Sequence, residues 1–467
     1  MLIIGCDALK RFWLVIIFFY FFYTIIRHFS IRTGMKALFI LILLLITGVL
    51  IREIQDNYFE KLRSKNNTYL EALKESLGTE EAENYRHVPN QWGFLFLNAS
   101  DSDHVGYNQL EILGDQVDTF STILDEINKA RHHIHMEYFI VRNDSIGEKL
   151  KNLLIEKSKQ GVEVRFIYDG FGSFFISKQF IRDLETAGVQ LVKFSPISQG
   201  IRHFNLNHRN HRKILVIDGE IGIIGGSNIG DEYLGRDEKI GKWRDMDIFI
   251  RGDAVKAIQA AFLRDWYITK GEILVDKTYY RGSGVKGSIP MEVVTGEPIT
   301  TVNSIEHFFL SMIYAAKDYL YFTTPYFIPP DSILLALESA AARGVKVILI
   351  IPDQSDNVVA EYGTNLYAQK MLEAGVEVYR YEEGFLHSKI SIMDGKISTV
   401  GTANFDHRGL RLDYEILAVM YDSETAEVMK SFLHKDIAKS TPMKKDRKMT
   451  FKDQIGFQLI RLIRGFL

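Results

Sequence analysis

His211-Arg-Lys213-Ile-Leu-Val-Ile-Asp218 is followed, seven residues beyond its aspartate, by Gly225-Gly-Ser-Asn228. Further along, His387-Ser-Lys389-Ile-Ser-Ile-Met-Asp394 is followed at the same interval by Gly401-Thr-Ala-Asn404. A lone His-x-Lys carries no information. Two copies of a five-point pattern of His, Lys, Asp, Gly and Asn at identical spacing mark a duplicated unit. The apolar run between each Lys and Asp reads as a buried strand. Two residues apart on a strand, His and Lys share one face.

The duplication extends outward from these motifs. His135-Met-Glu-Tyr-Phe139 is echoed by Thr323-Thr-Pro-Tyr-Phe327, and Gly161-Val-Glu-Val-Arg-Phe-Ile-Tyr-Asp-Gly170 by Gly344-Val-Lys-Val-Ile-Leu-Ile-Ile-Pro-Asp353. Ala187-Gly-Val-Gln-Leu-Val192 is echoed by Ala374-Gly-Val-Glu-Val-Tyr379. Short β-branched runs alternate with amphipathic helices, which predicts an α/β fold. The copies lie roughly 180 residues apart, too far for a solenoid. Two homologous α/β lobes are therefore expected to pack as a pseudo-dimer with one shared active site. The expected division is a membrane anchor over 1–60, a connector over 61–105, lobes over 106–275 and 289–435, and a basic amphipathic tail over 436–467. The Gly/Ser-rich stretch Arg281-Gly-Ser-Gly-Val-Lys-Gly-Ser288 reads as the linker between the lobes.

The paired motifs have a physical reading. A pseudo-twofold axis would set two imidazoles and two ammonium groups around one point. Lys213 and Lys389 would hold the nonbridging oxygens of a phosphate, and Asn228 and Asn404 would add donors. One imidazole would attack phosphorus. The other would protonate the leaving alkoxide and then deprotonate an incoming alcohol. Histidine suits both tasks because it titrates near neutrality. Glu415 follows His387 by 28 residues, and Asp247 in Trp243-Arg-Asp-Met-Asp247 aligns with it. Each is expected to orient an imidazole through its far nitrogen, with a plain strand-end salt bridge as the alternative. Asp218 and Asp394 each precede a glycine, so a turn-forming role stands beside a catalytic one. Asn228 and Asn404 have the same kind of alternative, fixing a loop. His132, His133 and His135 lack an evident acidic partner, and His135 falls in a core strand, so no metal site is expected.

These residues resemble the phospholipase D superfamily, and in detail the bacterial cardiolipin synthases. The similarity lies in the two His-x-Lys-x4-Asp motifs, Asn207-His-Arg-Asn-His211, Gly225-Gly-Ser-Asn-Ile-Gly-Asp-Glu-Tyr-Leu-Gly235, Trp243-Arg-Asp245, Thr324-Pro-Tyr-Phe327 and Asn404-Phe-Asp-His-Arg408. The resemblance implies metal-independent condensation of two phosphatidylglycerols into cardiolipin and glycerol, with one of His211 and His387 as nucleophile and the other as general acid. It also implies a multi-pass protein of the bacterial cell membrane with its catalytic part in the cytoplasm. Asp247, Asp413 and Gly409 depart from that pattern, where a histidine, an asparagine and a serine are expected. All three lie beside the motifs rather than in them.

Composition agrees with such a protein. It is that of a folded chain, 46% hydrophobic and 25% charged, and a net charge of −3 provides no global attraction to nucleic acid. The single cysteine, Cys6, excludes an intramolecular disulfide framework and a cysteine-based zinc site. No phosphate-binding glycine loop or dinucleotide fingerprint is present, and exchanging one phosphodiester for another requires no nucleotide, so no cofactor is expected. Residues 12–26 and 37–51 are apolar runs flanked by cations, each shorter than the roughly 20 residues of a typical span. A cleaved signal peptide would account for the first run and not the second, so a membrane hairpin is expected. Lys444, Lys445, Arg447 and Lys448 precede Phe451, Ile455, Leu459, Leu462, Ile463 and Phe466 at helical spacing. This tail reads as an amphipathic helix on an anionic leaflet, or as one docked on the protein's own core. Competing functions are a phospholipase-type hydrolase, another headgroup transferase, a nuclease of the same superfamily, and a lipid-binding scaffold with a retired site. Retention of both His/Lys pairs argues against the scaffold, and the charge and apolar N-terminus argue against the nuclease. Oligomeric state and the identity of the nucleophile stay open.

Overall fold

The computed structural model describes residues 33–77, 106–203, 205–238, 241–285, 287–299, 303–444 and 449–467. The short apolar runs form strands. In the first half these are β1 (Gly106–Leu113), β2 (His133–Tyr138), β3 (Glu163–Asp169), β4 (Gln190–Phe194), β5 (Ile214–Ile217), β6 (Ile221–Gly225), β7 (Trp243–Arg244) and β8 (Asp247–Gly252). In the second they are β9 (Ile289–Gly296), β10 (Tyr319–Thr323), β11 (Phe327–Ile328), β12 (Lys346–Pro352), β13 (Glu377–Tyr381), β14 (Phe385–Leu386), β15 (Ile390–Met393), β16 (Ile397–Gly401), β17 (Phe405–Asp406), β18 (Glu415–Met420) and β19 (Ser440–Pro442).

Fifteen of these strands make one sheet in the order β19-β13-β12-β10-β15-β16-β18-β9-β1-β8-β6-β5-β2-β3-β4. Read outward from the β9–β1 junction, the two sides repeat the same sequence of partners. β2, β3 and β4 run parallel, as do β10, β12 and β13. The helices Ser145–Lys159, Lys178–Thr186, Asp331–Ala342 and Val358–Ala374 make the crossovers that parallel strands require. Each lobe has its own hydrophobic core. The lobes are joined edge to edge where Gly106, Tyr107 and Asn108 pair with Met291, Pro290 and Ile289. The expected linker thus leads directly into a sheet strand, and a Cβ at Gly287 would collide with the backbone of Asn108. Of the histidines weighed for a metal, His133 and His135 are buried and both contact the Gln259 carboxamide.

The chain parts into two compact units, residues up to Ser64 with Ile197–Leu206, and the remainder, which holds both lobes. Residues 12–26 lie outside the described residues. The second apolar run, 37–51, belongs to a 45-residue helix, Thr33–Leu77. Among the described residues no helix is long and apolar enough to cross a membrane. The expected connector is helical from residue 61 as far as Leu77. Pairs such as Glu60–Arg63 and Glu71–Lys74 support it at i,i+3 spacing. Its last turns are held by burial of Tyr69 and Leu73, by the Tyr69–Tyr280 hydroxyl contact and by Lys65 donating to the Ile268 carbonyl. In the smaller unit, Tyr58 stacks on His203 at 4.5 Å.

Candidate active site

The two His-x-Lys triplets lie in extended segments leading into β5 and β15, rather than inside those strands. Each segment is held by backbone hydrogen bonds to the opposite lobe. The His211 N–H donates to the Tyr414 carbonyl at 2.9 Å, and the Tyr414 N–H donates back to Arg209 at 2.9 Å. In the mirrored position β14 pairs parallel with β7, and the His387 N–H donates to the Arg244 carbonyl at 2.7 Å. Both motif histidines are thereby set beside a carboxylate from the other half. His211 Nδ1 is 2.8 Å from Glu415 Oε1, and His387 Nδ1 is 2.6 Å from Asp245 Oδ2. Neither dyad exists within a single lobe.

This geometry corrects the alignment of Asp247 with Glu415. Gly226 N–H bonds the Met246 carbonyl as Thr402 N–H bonds Ile416. Gly225 pairs with Asp247 as Gly401 pairs with Leu417. Asp245 is therefore the counterpart of Glu415, and Asp247 turns away to accept from the Ser227 hydroxyl. Asp245 follows His211 by 34 residues where Glu415 follows His387 by 28, so the backbone register, and not a residue count from the motif, identifies the pair. The sequence signal that would have found Asp245 was its place directly after Trp243-Arg244, two residues that form β7.

Of the two parts weighed for Asp218 and Asp394, their contacts are those of a locked turn. Both have positive φ, 56° and 51°. The Asp218 carboxylate accepts from the N–H groups of Arg131, His132 and His133 at 2.7–3.2 Å, and Asp394 accepts from those of Lys317, Asp318 and Tyr319 at 2.8–2.9 Å. They lock the turns after β5 and β15 to the entry of β2 and β10, at the far ends of those strands from the imidazoles. Asn228 Oδ1 accepts from the Ile140 N–H at 3.1 Å. Asn404 is buried, and among the described residues its carboxamide oxygen has no hydrogen-bond partner.

The motif glycines serve close approach. A Cβ at Gly225 would collide with Asp247, one at Gly226 with the Asp245 carboxylate, and one at Gly401 with the Ile416 carbonyl. Aromatic rings wall the site. Phe139 meets His211 edge-on at 5.0 Å and lies 5.5 Å beneath Lys213 Nζ, and Trp243 lies 4.8 Å from His387. Lys389 Nζ sits 3.0 Å from His387 Nε2, and Lys213 Nζ donates to the His211 carbonyl at 2.7 Å.

Burial dominates the electrostatics. It lowers His211 well below its ordinary pKa, with Lys213 and Lys389 adding to the effect. It brings His387 to about 4, with Lys389 and Lys213 again contributing. Each histidine thus responds to the lysine of the other lobe, which places both His/Lys pairs in one cluster. Burial also pushes Lys213 down to about 7 and Lys389 to about 8, and raises Glu415 to about 7. Burial would raise Asp245 too, but the Lys389 and His387 charges outweigh it and hold Asp245 below the usual carboxylate value. Near neutral pH, then, both imidazoles are neutral before substrate arrives, and Nδ1–H donation to the carboxylates would turn each Nε2 lone pair away from its carboxylate, that of His387 toward Lys389 Nζ. Both lysine amines titrate close to neutrality, and an arriving anion would favour their charged ammonium form. Such an arrangement is chemically able to hold a phosphate and to attack it.

A further residue escaped the sequence reading. Arg212, between His211 and Lys213, is buried and bridges the halves. Its guanidinium pairs with Asp265 and Glu297, and its Nε donates to the Glu415 carbonyl at 3.0 Å.

A family model described as cardiolipin synthase, PLD-like domain, matches residues 123–266 and 309–437. The chain is 43% identical over 332 residues to "Cardiolipin synthase 2" of Bacillus anthracis, covering 71% of this chain and 65% of that relative's length. It is 42% identical over 337 residues to "Cardiolipin synthase" of a Geobacillus species, covering 72% of this chain and 67% of the relative. Among solved structures, a phosphatidylserine synthase of Haemophilus influenzae superimposes with a TM-score of 0.59 at 15% identity, over 83% of this chain and the whole of that one.

Proposed function

The chain belongs to the cardiolipin synthase family of phospholipase D-like proteins, and from that premise we propose that it joins two phosphatidylglycerols into cardiolipin, releasing glycerol through a covalent phosphohistidine. The observation that carries the reading is the pair of imidazoles, each fixed by a buried carboxylate of the opposite lobe, gathered with two buried lysines.

In the first step His211 Nε2 attacks the phosphorus of one phosphatidylglycerol. The bond from phosphorus to the glycerol headgroup breaks, and His387, protonated as the phosphate charge raises its pKa, gives its proton to the leaving oxygen. In the second step neutral His387 takes the proton from a headgroup hydroxyl of another phosphatidylglycerol. That oxygen attacks phosphorus and the P–N bond to His211 breaks. Lys213 and Lys389 hold the nonbridging oxygens throughout, with the Asn404 carboxamide beside them. Glu415 and Asp245 keep each ring in the tautomer that exposes Nε2 and support its charged form. The role of nucleophile goes to His211 and that of acid and base to His387. One phosphodiester replaces another, so the residues of this chain suffice for the exchange.

The lipid substrate brings a membrane with it. We place the apolar runs 12–26 and 37–51 in the bilayer as a two-helix anchor, with the lobes on the cytoplasmic side of a bacterial membrane. The support is their composition and the cations that flank them.

Purified protein in vesicles of phosphatidylglycerol alone should release glycerol and form cardiolipin, while His211→Ala and His387→Ala should fold and do neither. Phosphatidic acid as the sole product would reassign the chain to hydrolysis. Full turnover by both variants would end the proposal.

A further inference from the structure

The C-terminal helix Phe451–Ile463 is set by a capping box between Thr450 and Asp453, and it carries two apolar stripes. One stripe docks on the second lobe. Gly456, Phe457 and Ile460 are buried, and the Phe457 ring lies 4.5 Å from Tyr367. The other stripe faces away. At about 100° per residue, Phe451, Ile455, Leu459 and Leu462 fall within about a quarter turn of one another. Phe451 is 77% exposed, Leu462 80%, and Phe466 just beyond them 78%. A helix needs a single apolar stripe to dock, and the second has no use on the lobe that holds the first.

The neighbouring helix extends the same face. A Cβ at Gly456 would meet the Tyr362 ring, and Tyr362, Val358 and Val359 are exposed large side chains on Val358–Ala374. Two packed helices thus both expose apolar side chains beside their contact at Gly456 and Tyr362. Exposed Lys452 lies on the C-terminal helix, and the sequence leading into it carries Lys444, Lys445, Arg447 and Lys448. Arg461 and Arg464 are committed to Asp331, which fixes the helix on the lobe. The helix also ends beside the catalytic segments. The Gly465 carbonyl accepts from Asn207 Nδ2 at 2.5 Å, and Leu412 packs near Gly465. Asn207 opens the segment that delivers His211, and Leu412 the one that delivers Glu415.

We infer that this face is a bilayer-contact surface that seats the second lobe on an anionic lipid leaflet, separately from the N-terminal anchor. An exposed apolar stripe that carries Lys452 and follows a basic run in sequence matches an anionic leaflet. The use of the contact, presenting lipid headgroups to the rim of the site, rests on the phosphatidyl-transfer reading. The contact itself does not.

The test uses full-length protein with Cys6→Ser, labelled with an environment-sensitive dye at Leu462→Cys or, as a control on an exposed first-lobe helix end, at Thr186→Cys. In phosphatidylglycerol vesicles with brominated acyl chains, the Leu462 probe should be quenched at least about twofold and the Thr186 probe unchanged. Replacing Leu459, Leu462 and Phe466 together by glutamine should slow turnover of vesicle lipid about tenfold and leave turnover of detergent-dispersed lipid within about twofold. An unquenched Leu462 probe overturns the inference, as does a probe signal that follows protein concentration without lipid, which would make the face an interface between copies. Quenching without any cardiolipin formation keeps the contact surface and removes the transfer reading. Cardiolipin formation with an unquenched probe does the reverse.

Discussion

Replacing Asp245 by asparagine keeps the side chain's shape and removes its charge. Asp245 is fully buried, lies 2.6 Å from His387 Nδ1, and is held below the usual carboxylate pKa by Lys389 and His387 against the pull of burial. It is therefore an anion when His387 takes up its proton. The substituted carboxamide can offer a dipole but no charge to the imidazolium. A hydrogen bond to a charged partner contributes about 1.5–3 kcal/mol, which is about ten- to a hundredfold in rate. The loss should fall on kcat rather than KM, because the imidazolium forms along the reaction path. Asp247→Asn is the contrast, since that carboxylate turns to Ser227 and not to a histidine. Its kcat should stay within about threefold of the parent. Initial rates of glycerol release from phosphatidylglycerol vesicles, with circular dichroism to verify folding, measure both. Parental kcat in Asp245→Asn, or an equal loss in the two variants, refutes the assignment of the dyad.

The same geometry sets further expectations. Lys213 and Lys389, lowered by burial to about 7 and about 8, must be charged to hold phosphate, so kcat/KM should fall as pH rises through that range, and a flat profile to pH about 9 would contradict it. Stability should move the other way: between those values and the ordinary lysine value of 10.5 the unfolded chain binds more protons than the folded one, so the contribution of these two lysines to stability increases with pH, readable as Tm. Asp218→Ala and Asp394→Ala each strip the acceptor from three backbone N–H groups and should lower stability by about 1–3 kcal/mol in urea unfolding, while kcat per folded molecule stays within about threefold. Arg212→Met leaves Asp265 and Glu297 buried with a missing partner and should cost about 3–5 kcal/mol, also measured in urea, and parental stability would contradict the bridge. Gly226→Ala pushes a methyl group into the Asp245 carboxylate and should reproduce the kcat loss of Asp245→Asn without altering any titratable group.

The duplicated α/β lobes and the gathering of His211, Lys213, His387 and Lys389 were legible because spacing within a motif survives duplication. The carboxylate partners were only half legible. Glu415 was recognisable as a partner for an imidazole, but it serves the histidine of the other lobe, and contacts between lobes leave no trace in local spacing. Asp245 was displaced by Asp247 because Asp-x-Asp resembles Asp413-Tyr-Glu415, while the true register is set by backbone bonds such as Gly226 to Met246. Asp218 and Asp394 recur with the histidines, which suggested catalysis, while the glycine after each suggested a turn. They recur because each copy needs the same locked turn. The fusion of the two half-sheets through β1 and β9 had no sequence mark beyond Gly287. The tail's periodicity showed an amphipathic helix, but the docked residues, Phe457 and Ile460, were not among the stripe the periodicity picked out.

Quenching the working enzyme under alkaline conditions, with phosphatidylglycerol labelled at phosphorus and the peptides then mapped, tests the paired-imidazole chemistry most directly. The phosphatidyl group should be found on Nε2 of His211 and vanish in His211→Ala. Label on His387 would exchange the two roles, and turnover with label on neither histidine would contradict the mechanism.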